Sequence, residues 1–193
     1  MSLTCKHGKS AETPKDGDEI FRSEEAHTYE STHISTPCKN KVLHEVCKKD
    51  DGFGPIERAL EEIRSKNYSN KPTRLDSFFA FNCKQCAEDY REYTNNNNDS
   101  IYTFKIKKCQ HSLIADFGLR DSLLSTLDGR LPKDDVLIKY LTPDDLIEKV
   151  AQAYWGGRPS GDFFKERVSK PELLLMGEFE LINEDPSKFS EGV

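Results

Sequence analysis

The segment Ser77–Tyr90, which reads SFFAFNCKQCAEDY, holds the side chains best suited to binding a planar ligand. A short aromatic run ends at Phe81 and leads directly into a predicted helix. That helix carries a further aromatic side chain, Tyr90, eleven residues after Phe79. Aromatic faces stack on planar rings, so we interpret this strand and helix as a nucleotide-binding element. The alternative is that Phe78, Phe79 and Phe81 are simply core.

Arg74 lies just before this element, in the segment KPTRL. A guanidinium presents a planar fork of donors, so Arg74 could pair with a pyrophosphate. It could equally be a solvated surface residue. The sequence contains no Gly-x-Gly-x-x-Gly and no Gly-x-x-x-x-Gly-Lys-Ser/Thr, which excludes the Rossmann and P-loop phosphate cradles. A nucleotide bound by this chain requires a different architecture.

The cysteines offer a competing chemistry. Cys83-x-x-Cys86 and Cys109-x-His111 together could supply the three thiolates and one imidazole of a tetrahedral zinc site. A single Cys-x-x-Cys within a strand-helix element can also be a pair of ordinary thiols or a redox pair. No Gly-x-Ser-x-Gly elbow is present, so a serine hydrolase has no motif here.

Hydrophobic periodicity predicts the helices that must position these residues. One helix opens at Gly54-Pro55, with an inward stripe at three- and four-residue spacing. A second begins at the capping residue Thr142 and ends at Gly156-Gly157. The inward residues are Ile56, Ala59, Leu60 and Ile63 in the first helix, and Leu146, Ile147, Val150 and Tyr154 in the second.

Shorter patterns predict strands. Tyr102, Phe104 and Ile106 alternate with polar residues, 136–140 is a compact apolar run, and 173–181 is apolar around Gly177. Helices are inserted unevenly among these strands, without regular βαβ alternation. The pattern therefore predicts an α+β fold.

The whole chain of 193 residues carries 28 basic and 34 acidic side chains, a net charge of -6. This charge opposes general attraction to nucleic acid or anionic membranes. No apolar run is long enough to span a membrane and the first residues are polar, so we expect no membrane association and a cytoplasmic protein. We expect a flexible arm over 1–19, one domain over 20–184 and a flexible tail over 185–193. The Asn95–Asn98 tract predicts an exposed turn.

Three segments, taken in order, resemble the motifs of the ADP-ribosyltransferase superfamily. The first is Thr32-His33-Ile34-Ser35-Thr36, which is similar to the family's early strand with a histidine and a hydroxyl residue. The resemblance implies that His33 contacts ribose hydroxyls of NAD. It implies also that the Ile34 backbone pairs with the nicotinamide carboxamide, with Ser35 beside it.

The second segment is the aromatic element itself, where the resemblance implies that Phe79 and Tyr90 sandwich nicotinamide. It departs from the family pattern in three ways: Ser77 replaces glycine, Phe79 replaces tyrosine, and Ala80-Phe81 reverses the usual order. Stacking survives these changes, but the tyrosine hydroxyl is lost. The segments 74–81 and 154–157 are also similar to a bacterial family within this superfamily.

The third segment is Pro171-Glu172 followed by Leu173–Met176, which resembles the family's late strand with a catalytic glutamate. Glu172 is the implied catalytic residue, and Glu180 of Glu178-x-Glu180 is the second choice. The resemblance implies a split β-sheet around a cleft and NAD-dependent ADP-ribosyl transfer to a protein or nucleic-acid acceptor, with nicotinamide release. The alternative is a catalytically degenerate binding module with the same fold.

Overall fold

The computed structural model describes residues 3, 12–25, 32–36, 41–96, 98–131, 141–165, 167 and 169–185. Its strands are β1 (Glu19–Glu25), β2 (His33–Ser35), β3 (Phe78–Ala80), β4 (Asp99–Asp116) and β5 (Pro171–Asp185). Its helices are α1 (Lys41–Cys47), α2 (Gly54–Asn67), α3 (Lys84–Tyr93), α4 (Phe117–Leu127) and α5 (Pro143–Trp155). Short 3-10 turns cover Arg74–Asp76 and Ser160–Asp162. The prediction of an α+β fold is confirmed.

All the strand pairings in the described part of the chain are antiparallel, and β5 is the strand that joins them. One edge of β5 pairs with β4. Its other edge pairs first with β3, where Phe79 is opposite Leu174, and further along with β2, where His33 is opposite Glu180. These strands therefore belong to one hydrogen-bonded sheet, and the split sheet implied by the family resemblance is not seen among them.

The sheet curves until two of its strands meet again. Phe21 N donates to Phe81 O over 2.8 Å, and Phe81 N donates to Phe21 O over 2.7 Å. This bridge links β1 to the end of β3, so β1, β4, β5 and β3 close into a ring. The inside of the ring is filled by buried strand residues, namely Ile20, Phe78, Ala80, Tyr102, Phe104, Ile106, Leu173, Leu175 and Phe179.

The outer face of the sheet packs against helices. Side chains alternate between the two faces of a strand, so Leu174 of β5 points to the helices while Leu173 and Leu175 fill the ring. Helices α2, α4 and α5 cover this face, with Trp155 fully buried and its Nε1 donating to Leu60 O over 2.7 Å. This layer anchors Tyr154 beneath the start of β5.

The helices predicted from periodicity form where expected. Helix α2 begins at Gly54 with proline in its first turn, and it buries Ile56 and Leu60. Helix α5 is capped by the hydroxyl of Thr142, which accepts from Asp145 N over 3.2 Å, and it buries Leu146, Val150 and Tyr154.

The strand predictions around 102–106 and 173–181 are confirmed by β4 and β5, whereas 136–140 lies outside the described residues. Asn95 and Asn96 are exposed in the turn after α3. The last residues of the predicted N-terminal arm are bonded to β4, since Gly17 N donates to Ile106 O over 2.7 Å. None of the helices in the described ranges has the length and apolar character that crossing a bilayer demands.

Gly177 is a point of unusually close approach between β5 and β4. A Cβ atom at this position would lie 1.9 Å from the carbonyl oxygen of Lys108, closer than real Cβ contacts allow. The β4–β5 register is irregular on both sides of this point. The hydroxyl of Thr36 accepts from Gly177 N over 2.6 Å, which ties the segment after β2 to the same place.

Candidate functional site

A cleft of about 700 Å³ opens where β1, β3 and the start of β5 meet helices α3 and α4. Its lining combines aromatic faces with charges of both signs. The aromatic residues are Phe79, Phe81, Tyr90 and Phe117, the basic ones Arg22, Arg74 and Arg120, the acidic ones Glu24, Asp99 and Glu172; Asn95, Asn96 and Asn98 are also part of its lining.

Glu172 is held in this cleft by two donors. Arg74 Nη1 donates to Glu172 Oε1 over 2.7 Å, and the Tyr154 hydroxyl donates to the same oxygen over 2.7 Å. Arg74 Nη1 also donates to the Tyr154 oxygen. Glu172 Oε2 accepts no hydrogen bond from the described residues, so this oxygen is the one that can meet a ligand.

Glu57 of α2 holds the other side of Arg74. Arg74 Nε donates to Glu57 Oε2 over 2.9 Å, and Arg120 Nη1 donates to Glu57 Oε1 over 2.9 Å. The guanidinium of Arg74 also lies 4.8 Å from the ring centre of Phe79. Two carboxylates and a tyrosine surround the guanidinium of Arg74, so this arginine is buried and paired rather than a solvated surface residue.

Burial and charge act against each other in this network. Burial by itself disfavours the charged form of Glu57, but the guanidinium groups of Arg74 and Arg120 outweigh it and hold the pKa of Glu57 below its ordinary value. Burial also opposes the charge of Arg74, yet Glu172 and Glu57 raise its pKa well above the usual range. Burial and the Glu172 charge raise the pKa of Tyr154, so its hydroxyl stays protonated as a donor.

Tyr90 and Phe79, 11 residues apart in sequence, both line the cleft. The Tyr90 ring packs on Phe81, with ring centres 5.3 Å apart, and edge-on against Phe117 at 5.5 Å. Burial raises the pKa of Tyr90, and the nearby charge of Glu172 adds to this effect while Arg120 opposes it. Phe79 is half-buried, whereas Phe78 beside it faces into the strand ring.

Arg22 is a cleft residue that the sequence motifs did not indicate. It lies on β1, its Nη1 donates to Phe79 O over 3.3 Å, and its Nε is paired with Glu24. Arg22 follows Phe21, whose bridge to Phe81 brings β1 to the cleft. The only sequence signal was a basic residue directly after the apolar pair Ile20-Phe21, close to the predicted domain boundary.

His33, Ile34 and Ser35 lie on β2, away from the cleft. Their partners on β5 are Glu180, Phe179 and Glu178. Glu180 lies six positions along β5 from Leu174, the partner of Phe79, which corresponds to about 20 Å at the usual rise per residue. His33 and Ser35 are exposed.

Glu180, the second candidate for catalysis, shares this distant position. Lys107 Nζ lies 3.0 Å from its Oε2 and lowers the pKa of Glu180 through that hydrogen bond and its charge. The structure therefore gathers Arg74, Phe79, Tyr90 and Glu172 in one place, and His33, Ile34, Ser35 and Glu180 in another. Nothing in the periodicity of the strands could show that β2 pairs at the far end of β5.

Ser77 and the candidate zinc ligands have other surroundings. The Ser77 hydroxyl is buried and donates to Thr73 O over 2.5 Å, which stabilises the turn before β3. Cys83 and Cys86 are buried at the start of α3, whereas Cys109 and His111 lie on β4 opposite Gly177 and Met176. In the part of the chain that the structure describes, no group of three or more His, Cys, Asp or Glu is placed to hold a metal.

No protein-family model matches this sequence, and no curated protein is significantly similar to it. Three guanidinium groups and three carboxylates line the cleft beside aromatic faces. The lining therefore presents charges of both signs next to aromatic faces.

Proposed function

We propose that the cleft binds NAD and that the chain transfers its ADP-ribosyl group to a protein or nucleic-acid acceptor, with release of nicotinamide. One observation carries the proposal. Phe79, Tyr90 and Glu172, from segments far apart in the chain, line one cleft of about 700 Å³. NAD supplies the charges that this lining can meet, a pyridinium ring and a pyrophosphate.

Aromatic stacking and charge support the binding step. The half-buried face of Phe79 can stack on the pyridinium, and the Tyr90 ring is fixed nearby by Phe81 and Phe117. For the pyrophosphate, Arg120 is the better candidate than Arg74, because its side chain is 19% exposed, against 4% for Arg74. Arg22 lines the same cleft and can add a second guanidinium.

The geometry of Glu172 supports the chemical step. When the bond between nicotinamide and the ribose breaks, its electron pair leaves with the neutral nicotinamide and the ribose carbon becomes positively charged. A carboxylate beside that carbon stabilises the charge. Glu172 Oε1 is fixed by Arg74 and Tyr154, so Oε2 can be held towards the ribose without a large loss of side-chain freedom. The acceptor then forms the new bond and gives up its proton.

A second candidate function is NAD binding without turnover. It is favoured by the ion pair of Arg74 with Glu172, which offsets the carboxylate charge that would stabilise the transition state. The distance of His33 from the cleft also favours binding without turnover, because His33 then does not take the role that the family resemblance implies for it.

Calorimetry of NAD binding combined with nicotinamide release tests both candidates. We expect the wild type to bind NAD, and Phe79→Ala to weaken binding by roughly tenfold, since stacking is worth about 1–3 kcal/mol. We expect Glu172→Gln to keep binding and to lose release by a factor of at least about 100. Glu178→Gln, an exposed glutamate on the same strand, serves as the matched control and is expected to behave as wild type.

The two candidates predict different patterns. Binding with release that depends on Glu172 supports transfer, and water then serves as acceptor in the purified system. Binding without release by the wild type supports the binding module. Absence of binding at millimolar NAD contradicts both.

A further inference from the structure

The sulfur atoms of Cys83 and Cys86 lie 2.7 Å apart. They are thiols in the structure, yet the S–S bond of a disulfide, about 2.05 Å, is only a small side-chain movement away. Among the described cysteines, no other pair of sulfur atoms is in hydrogen-bonding contact. This pair lies outside the chemistry of the proposed function.

The local fold creates this contact. Cys83 has an extended backbone as the residue that caps α3, and Cys86 is in the first turn of the helix. Cys86 N donates to Cys83 Sγ over 3.3 Å, so the sulfur of Cys83 turns towards the helix and meets the sulfur of Cys86. An N–H donor can also stabilise the negative charge that a sulfur carries when it attacks an oxidant.

We propose that Cys83 and Cys86 form a dithiol site that a small peroxide oxidises to an intrachain disulfide. The thiolate of one cysteine attacks a peroxide oxygen, the O–O bond breaks, and a sulfenic acid and water form once the leaving hydroxide takes a proton. The second thiol attacks the sulfenic sulfur, the S–S bond forms, and water leaves. In total, two thiols and one hydrogen peroxide give one disulfide and two waters.

The burial of Cys83 and Cys86 limits the size of an oxidant that can reach their sulfur atoms. Cys83 is 2% exposed and Cys86 is 8% exposed, so a molecule the size of hydrogen peroxide can approach more easily than a glutathione disulfide. The two cysteines pack with Phe81 and Phe117, which are walls of the cleft. The modification would therefore lie directly behind the cleft, on the helix that carries Tyr90.

Cys47 and Cys109 are internal comparisons. They lie on α1 and β4, and burial is the main cause that raises the pKa of both thiols. Among the described cysteines, neither has a second sulfur atom within hydrogen-bonding distance of its own. We expect peroxide to leave these two cysteines unpaired while Cys83 and Cys86 become linked.

A tryptic digest gives a direct readout, because Lys84 lies between the two cysteines. Trypsin cleaves after Lys84 and separates 75–84 from 85–91, unless a disulfide holds the two peptides together. We treat the folded chain with hydrogen peroxide, alkylate the remaining thiols and digest. The expected result is one linked peptide pair in the wild type, two separate peptides after dithiothreitol, and no linked pair in Cys83→Ser or Cys86→Ser.

The same reaction in the urea-unfolded chain separates a preformed site from a chance pairing of neighbours in sequence. We expect the linked pair to form at least as fast in the folded chain, since the fold already holds the sulfur atoms together. The proposal is overturned if only the unfolded chain forms the link, or if the folded chain gives sulfinic or sulfonic acid at either cysteine without the linked pair.

Discussion

Arg74 Nη1 donates to Glu172 Oε1 over 2.7 Å, although 98 positions separate the two residues in the chain. This ion pair joins the turn before β3 to the start of β5, and both partners are almost fully buried. Glu57 completes the pairing of Arg74 from the side of α2. The network thus connects the turn before β3, the start of β5 and α2, and the first two of these line the cleft.

Removing the arginine from this network should be costly. Arg74→Ala leaves the carboxylates of Glu57 and Glu172 buried near each other without their shared cation. We expect the free energy of unfolding to fall by about 3–5 kcal/mol, the usual cost of breaking a buried pair. Urea unfolding measures this change. Lys66→Ala is the control, because it removes only the exposed ion pair between Lys66 and Glu62 on α2, and it should have little effect on the free energy of unfolding. Equal losses of unfolding free energy in the two variants would contradict the role of Arg74.

The stability of the chain should depend on the protonation of Glu57. Its folded pKa lies below its ordinary value of about 4.3, so the unfolded chain binds this proton first as the pH falls. The stabilisation is complete above the ordinary pKa and is lost as the pH falls through the folded pKa. We expect Glu57→Gln to flatten the decline of unfolding free energy below about pH 5. An unchanged slope in this variant would show that other carboxylates cause the decline.

The Tyr154 hydroxyl should contribute separately from the ring. Tyr154→Phe removes the donor to Glu172 Oε1 and keeps the packing against Trp155, whose ring centre is 5.1 Å away. Hydrogen bonds to charged groups are worth about 1.5–3 kcal/mol, and each kcal/mol shifts the melting temperature of a chain of this size by about 2–4 °C. Tyr68→Phe is the comparison, because its hydroxyl donates only to the neutral Gln152 O over 3.3 Å. The melting temperature should fall less in that variant.

Arg22 and His33 should differ in their effect on NAD binding. Arg22 lines the cleft, whereas His33 is on β2 at the far end of β5. We expect Arg22→Ala to weaken NAD binding by at least about tenfold, as for the loss of a charge-assisted hydrogen bond. His33→Ala should bind as the wild type does. Calorimetry with both variants makes the comparison, and a loss confined to His33→Ala would support the role that the family resemblance implies for the histidine.

Gly177 should tolerate no side chain. Gly177→Ala places a Cβ atom 1.9 Å from Lys108 O, so the two strands must separate there. Overpacking of this kind costs about 1–3 kcal/mol or more. Gly129→Ala is a suitable control, since its φ of 68° is also unfavourable for alanine but nothing lies within 4 Å of the added atom. Urea unfolding should show a clearly larger loss for Gly177→Ala; equal losses would mean that backbone conformation alone explains both.

Hydrophobic periodicity and capping residues predicted the helices and strands that depend on interactions between neighbours in sequence. The stripe of Leu146, Val150 and Tyr154 and the cap at Thr142 predicted α5, and the alternation at 102–106 predicted β4. The aromatic element was also informative, because Phe79 and Tyr90 are tied to each other by one strand and the helix that follows it. Both residues line the cleft.

The pairing of distant segments was beyond such patterns. The alternation of apolar and polar residues along a strand predicts which face is buried, but it does not predict the partner of an edge strand as short as β2. The three residues His33–Ser35 could have paired beside Phe79, and instead they pair opposite Glu178–Glu180. Arg74 was equally ambiguous, since its role depends on Glu57, Tyr154 and Glu172, which come from three other elements.

The closed ring of strands has a consequence for how fast this chain reaches its folded state. The pairing of Asp116 with Pro171 closes a loop made of the whole segment 117–170. The bridge between Phe21 and Phe81 closes a second long loop. Contacts between distant residues slow folding, because loop entropy is lost before the contacts form. A refolding time in the range of milliseconds to seconds is therefore expected. The cleft needs both closures, so it cannot form in a nascent chain until residue 171 and the strand that follows it have been synthesised.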